Sequence, residues 1–204
     1  LIVSKEVGRG FDMERIWLVP ASIPPHKEMK NVAGAQDRLE MIRLAVESDS
    51  LFSVTEVELK RAGPSYTIDT LGHFKSILPG DARLYFIMGM DAFLDIDTWK
   101  SYEELFRVAP FIVMSRPGST DSKSDSAWEQ AREVLTSRVS AGYAYDRGRN
   151  AFFHPENKPV FLFEVTPVEI SSTMIRERIK KGREINGLVP EKVKEFIKVK
   201  GLYL

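Results

Sequence analysis

Three short runs, "RLYFIM" (83–88), "PFIVMS" (110–115) and "VFLFEV" (160–165), are apolar at nearly every position. A strand with one face in water alternates apolar and polar residues. A strand without that alternation needs cover on both faces. "RIWLVP" (15–20) is a fourth such run, and "LFSVTEVEL" reads as a strand from its β-branched residues. Stretches of helical period lie between them. "AQDRLEMIRLAVES" carries Leu39, Ile42 and Val46, while "TIDTLGHFKSIL" carries Ile68, Leu71 and Leu78 and stops before Pro79-Gly80. A helical segment follows Gly89 as far as Val108, and "AWEQAREVLTSRV" is another helix. "RPGSTDSKSDS" reads as a loop and residues 140–158 as irregular. Two helices close the chain, one within "EISSTMIRERIKKG" (169–182) and one near Pro190–Lys198. This alternation predicts an α/β fold, a doubly wound parallel sheet flanked by helices. We expect one domain over 1–204, helical from about residue 170.

Composition removes several classes of function. Lysine plus arginine equals aspartate plus glutamate at 29 each, which argues against a general nucleic-acid binder. With no cysteine, disulfides, thiolate metal sites and a cysteine nucleophile are excluded. The longest apolar run, around "VAPFIVM", is about seven residues, far short of a membrane span. No signal peptide is visible, and a cytoplasmic setting is expected. The opening "LIVSKEV" reads as the inside of an element, so the natural start is expected upstream of Leu1.

Ligands of open parallel sheets sit beyond the carboxyl ends of the strands. Five segments occupy such places: "ASIPPHK", "RAGPSYT", "GMDAF", "SRPG" and "TPVEISSTMIR". In the last, Ser171, Ser172 and Thr173 precede a helix whose amides would bind an anion, with Arg176 as counter-charge. A capped surface helix explains the hydroxyls equally well. Arg176 is the odd residue, because a cation near a helix amino terminus is disfavoured by roughly 0.3–1 kcal/mol. In "SIPPHK", two prolines hold the chain extended and present His26 and Lys27, either to phosphate or to solvent. In "PSYTIDT", Thr67 is the expected helix cap, and the amides near Tyr66 and Thr67 suit a carboxylate. Gly89 permits close backbone approach, and Asp91 either caps the next helix or accepts from sugar hydroxyls. Trp99 falls at a break between helical segments, where it stacks on a flat ligand ring or packs on the core. His73 reads as structural, and His154 has no evident partner. No pair of histidines has metal-ligand spacing.

In this order, "VPASIPPHK", "RLEMIRLAV", "GPSYTIDTL", "FIMGMDAFLDIDTWKSYEEL", "VMSRPG" and "EISSTMIRERI" resemble the bacterial nicotinate mononucleotide adenylyltransferases. The resemblance implies a Rossmann-like fold and transfer of AMP from ATP to nicotinate mononucleotide, with Mg²⁺ carried mainly by the ATP phosphates. It implies that Ser171, Ser172 and Arg176 hold those phosphates and that His26 and Lys27 lie near the reacting ones. Gly89 and Asp91 would sit beside the nucleotide. Tyr66 and Thr67 would bind the nicotinate carboxylate, and Trp99 would stack on the pyridine ring. A homo-oligomer is compatible with the resemblance, and neither a nucleic-acid nor a membrane partner is implied. The family pattern begins with a strand and a His-x-Gly-His turn, and the residues from Leu1 onward do not contain that pattern. We expect that first strand and turn just upstream. Two other readings fit parts of the pattern: a transferase acting on pantetheine phosphate, and a nucleotide-binding module without catalysis.

Overall fold

The structure is a computed structural model that describes residues 1–22, 32–115 and 127–204. It divides into two compact units. One comprises Leu1–Ser65 with Val168–Leu204, the other Tyr66–Pro167.

The first unit opens with helix α1 (Ile2–Gly10), strand β1 (Ile16–Leu18), helix α2 (Ala35–Val46) and strand β2 (Phe52–Val54). β1 and β2 run parallel, with Ile16 opposite Phe52 and Leu18 opposite Val54. Val7 of α1 is fully buried, and Gly8 lets that helix approach closely. A Cβ there would meet Leu51 at 3.1 Å and Ile16 at 3.2 Å. The strand expected over "LFSVTEVEL" ends at Val54. There the Thr55 hydroxyl accepts from the Val57 amide, which takes that amide out of any further ladder. The unit closes with helices α7 (Ser172–Lys180) and α8 (Glu191–Val199). Ile175 and Ile179 of α7 pack on Ile185, Val193 and Ile197, as do Met41 and Leu44 of α2.

The second unit holds helix α3 (Thr67–Ile77), strand β3 (Phe86–Gly89), helices α4 (Met90–Leu94) and α5 (Tyr102–Val108), strand β4 (Phe111–Ser115) and helix α6 (Ala127–Val134). Strands β5 (Ala144–Asp146), β6 (Ala151–Phe153) and β7 (Val160–Glu164) complete it. Its five-stranded sheet has the order β3-β4-β7-β6-β5. β3, β4 and β7 are parallel, and β6 and β5 add to the edge antiparallel. Phe111, Ile112 and Val113 of β4 are fully buried, as an apolar run between two neighbours requires. Phe106 stacks on Phe111 at 4.7 Å and anchors α5 on the sheet.

The α/β class and the parallel strands are as expected. The irregular stretch at 140–158 is corrected: it contains the β5–β6 hairpin. Asp146 turns that hairpin by accepting from the Gly148 and Arg149 amides at 2.9 and 3.2 Å. Asn150, with φ 47, then donates its side-chain amide to the Leu162 carbonyl. The helical stretch from Gly89 to Val108, with its expected break at Trp99, consists of α4, a 3₁₀ turn at Ile96–Thr98, and α5. Ser101, at φ 52, makes the second break.

Candidate active site

In the first unit, the backbone at Ser171 is extended, and its Oγ accepts from the Met174 amide at 3.1 Å. Ser171 is therefore the cap of α7, and Ser172 and Thr173 lie in the first turn. Arg176 follows one turn later and folds back, its guanidinium donating to Thr173 Oγ1 at 3.1 Å. Each of the two hydroxyls thus accepts within the protein and keeps its own proton to donate. The helix has no acidic residue in its first turn and no fully buried side chain. Burial pushes the Tyr203 phenol up, while Arg176 and Arg38 pull it down, so both guanidinium charges are felt at the carboxyl-terminal tail.

Arg38 makes contacts that its place in "RLEMIRLAV" does not reveal. Its guanidinium donates to the carbonyls of Ala21 (2.7 Å), Ser22 (3.2 Å) and Ala33 (3.2 Å). The Ser22 amide in turn donates to Ser65 Oγ at 2.9 Å. These contacts fix the chain on both sides of "IPPHKEMKN". His26 and Lys27 themselves lie outside the described residues.

In the second unit, the amino terminus of α3 departs from expectation. Tyr66, not Thr67, is the cap residue; its backbone is extended and no side chain caps the helix. Thr67 is the first helical residue. The expected hydroxyl cap is absent, and the one acidic side chain in the first turn of this helix is Asp69. Trp99 is half-buried, with extended backbone after the 3₁₀ turn. Its ring meets Phe86 edge-on, with centroids 6.0 Å apart. The break carrying it is braced by Arg138, which donates to the Leu94 carbonyl (3.0 Å) and pairs with Asp97 (3.2 Å). The Tyr102 hydroxyl donates to the Arg138 carbonyl at 3.0 Å. The core-packing reading of Trp99 is what the structure displays: one edge packs on Phe86 and the residue is half-buried.

Lys100 is a second residue to which the sequence reading assigns no role, although it lies within "DTWKSYEEL". Its ammonium pairs with Asp69 at 3.2 Å and lies 4.5 Å from the centre of the Tyr66 ring. The available signal is a cation directly after a tryptophan at a helix break. Gly89 ends β3 and is the cap residue of α4, with φ −80 and ψ 158. A Cβ built there meets nothing within 4 Å among the described residues. Neither backbone strain nor packing by those residues requires glycine at this position. Asp91 does not cap the helix as one reading had it. It stands exposed in the first turn of α4.

His154 acquires partners. Its Nε2 lies 2.8 Å from Ser140 Oγ, and its Nδ1 accepts from the Glu156 and Asn157 amides, both at 3.0 Å. With Nδ1 accepting, the neutral ring carries its proton on Nε2 and cannot take one from Ser140. The pair is a structural clasp, not a nucleophile and base.

Parallel strands that lead into polar helix amino termini define a nucleotide-handling α/β protein. The sequence matches the Cytidylyltransferase-like family over residues 1–178. A "Probable nicotinate-nucleotide adenylyltransferase" of Desulfatibacillum aliphaticivorans is 40% identical, over 100% of this chain and 92% of that protein. One of the same name from Geobacter sp. (strain M21) is 36% identical, over 100% of this chain and 91% of its own. The chain belongs to the Cytidylyltransferase-like family of nucleotidyltransferases, in the group with these relatives. A solved structure, Plasmodium falciparum nicotinic acid mononucleotide adenylyltransferase complexed with NaAD, superposes with a TM-score of 0.65 at 17% identity. It covers 98% of this chain and 90% of its own, and it supports the fold. Among the described residues, no helix is long and apolar enough to cross a membrane.

Proposed function

We propose that this protein transfers the adenylyl group of ATP to nicotinate mononucleotide, giving nicotinate adenine dinucleotide and pyrophosphate. The observation that carries the reading is the kinship, along the whole chain, with proteins named for that reaction. In this reaction a phosphate oxygen of the mononucleotide attacks the α-phosphorus of ATP. The bond from that phosphorus to the bridging oxygen breaks, and pyrophosphate leaves. The nucleophile is already an anion, so no general base is needed. Catalysis rests on alignment and on charge held around the α-phosphate.

The residues divide accordingly. Ser171, Ser172 and Arg176 take ATP phosphates: the hydroxyls have protons to donate, and Arg176 already turns its charge towards the helix amino terminus. His26 and Lys27 act at the reacting phosphates. Gly89 leaves room for the nucleotide, with Asp91 beside it. Tyr66 and Thr67 offer the uncapped end of α3 to the pyridine carboxylate. Trp99 stacks on the pyridinium, where a cation–π attraction is worth roughly 0.5–2 kcal/mol.

Mg²⁺ accompanies the ATP. Among the described residues, no three His, Asp or Glu side chains form a metal cage. A cation held by phosphate oxygens and water needs none. When bound, it offsets charge on the leaving pyrophosphate.

The test is turnover. The full-length natural chain, given ATP, Mg²⁺ and nicotinate mononucleotide, should release pyrophosphate and nicotinate adenine dinucleotide in equal amounts. Absence of the dinucleotide overturns the reading.

A further inference from the structure

The roles above leave Lys100 unassigned, yet its surroundings are specific. Its Nζ lies 3.2 and 3.5 Å from the two carboxylate oxygens of Asp69 and 4.5 Å from the Tyr66 ring centre. Tyr66 is the cap residue of α3, and Asp69 is in its first turn. Three charges therefore meet at one place: the positive end of the helix dipole, a carboxylate and an ammonium. Asp69 suits the helix by itself, since a first-turn carboxylate is favourable. It is a poor neighbour for a second carboxylate brought to the same helix end, because like charges at close range repel. Lys100 offsets that repulsion while its ammonium lies over the Tyr66 ring.

We propose that Lys100 is a specificity-determining residue: by neutralising Asp69, it lets the amino terminus of α3 accept a pyridine ring bearing a carboxylate in preference to one bearing a carboxamide. The proposal rests on the reading of Tyr66 and Thr67 given above. It differs from a structural role in one respect. A contact that merely holds Trp99 and its neighbours in place serves both rings alike, whereas a charge effect falls on the acid alone.

The experiment uses the full-length natural chain and the variants Lys100→Met, Lys100→Arg and Lys100→Met with Asp69→Asn. Lys100 and Asp69 have side chains 46% and 39% exposed, so these changes leave the core untouched. The readouts, at saturating ATP, are the KM for nicotinate mononucleotide and the inhibition constant of nicotinamide mononucleotide. Lys100→Met should raise the first roughly three- to tenfold and leave the second in place. Lys100→Arg should stay near the natural value, and the double variant should recover most of the loss. Equal shifts for both ligands, no shift in KM, or no recovery in the double variant overturns the proposal. Failure of the unaltered protein to use nicotinate mononucleotide overturns the underlying reading instead.

Discussion

Gly89→Ala separates a glycine kept for folding from a glycine kept for a ligand. The backbone at this position, φ −80 and ψ 158, is open to alanine, and among the described residues the added methyl meets no atom within 4 Å. Replacing glycine at a compatible position stiffens the unfolded chain and stabilises by about 0.4–1 kcal/mol. Alanine is a poorer cap residue than glycine, and for the short helix α4 that costs several tenths of a kcal/mol. The two nearly cancel, so the net change is within about 0.5 kcal/mol and the Tm should move by about 2 °C at most. The methyl does enter the space beyond the end of β3. If a nucleotide occupies that space, the overlap costs about 1–3 kcal/mol, a rise in the KM for ATP of roughly 5- to 150-fold. Thermal unfolding and initial rates at varied ATP give both quantities on one preparation. An unchanged KM would refute the ligand argument, and a Tm fall beyond about 5 °C would refute the packing argument.

Trp99→Ala should weaken nicotinate mononucleotide roughly 2- to 30-fold and ATP much less. Equal losses for both substrates in steady-state kinetics would remove the stacking role. Gly142→Ala should destabilise by about 1–3 kcal/mol, because its Cβ would lie 2.5 Å from His154 Nε2; urea unfolding measures this, and an unchanged midpoint contradicts it. Burial holds the Tyr143 phenol well above its ordinary range, and its hydroxyl donates to the Lys158 carbonyl at 3.0 Å. A raised folded-state pKa gives a contribution that is full below the unfolded value of about 10 and lost as pH rises beyond it. Tyr143→Phe should therefore cost about 1 kcal/mol at neutral pH and flatten the alkaline fall in stability. An alkaline limb as steep as that of the natural protein would refute the assignment.

The parts of the fold legible in the sequence are those in which one pattern dominates. β4 is apolar at four of its five positions because parallel neighbours and helices leave it no wet face. The hairpin at 144–153 was hidden because each strand is three residues long, too short to show alternation, and aromatic residues occupy both faces. Its turn chemistry was nonetheless present in Asp146, Gly148 and Asn150. The cap of α3 was misplaced by one residue because Thr67 has the right side chain, but the helical backbone already includes it. Arg38 and Lys100 lie within the matching segments, but nothing local in those segments tells what either residue contacts. Their partners are backbone carbonyls 5 to 17 residues away in the one case and a carboxylate 31 residues away in the other. Only the folded chain brings these together.

Helix α7 shows why local rules and function part company. By its own energetics it is weakly specified. It has no acidic residue in the first turn to match the dipole, no fully buried side chain, and a cation near its positive end. The Ser171 cap recovers about 1 kcal/mol, and Ile175 and Ile179 pack on a small cluster. A glutamate at Met174 would complete a capping box and suit the dipole. It would also put a negative charge where a phosphate is proposed to bind. Arg176, pointed back at Thr173, makes the opposite choice. A helix that forgoes its own stabilising residues at the end where amides and hydroxyls converge has the properties that the proposed phosphate site requires.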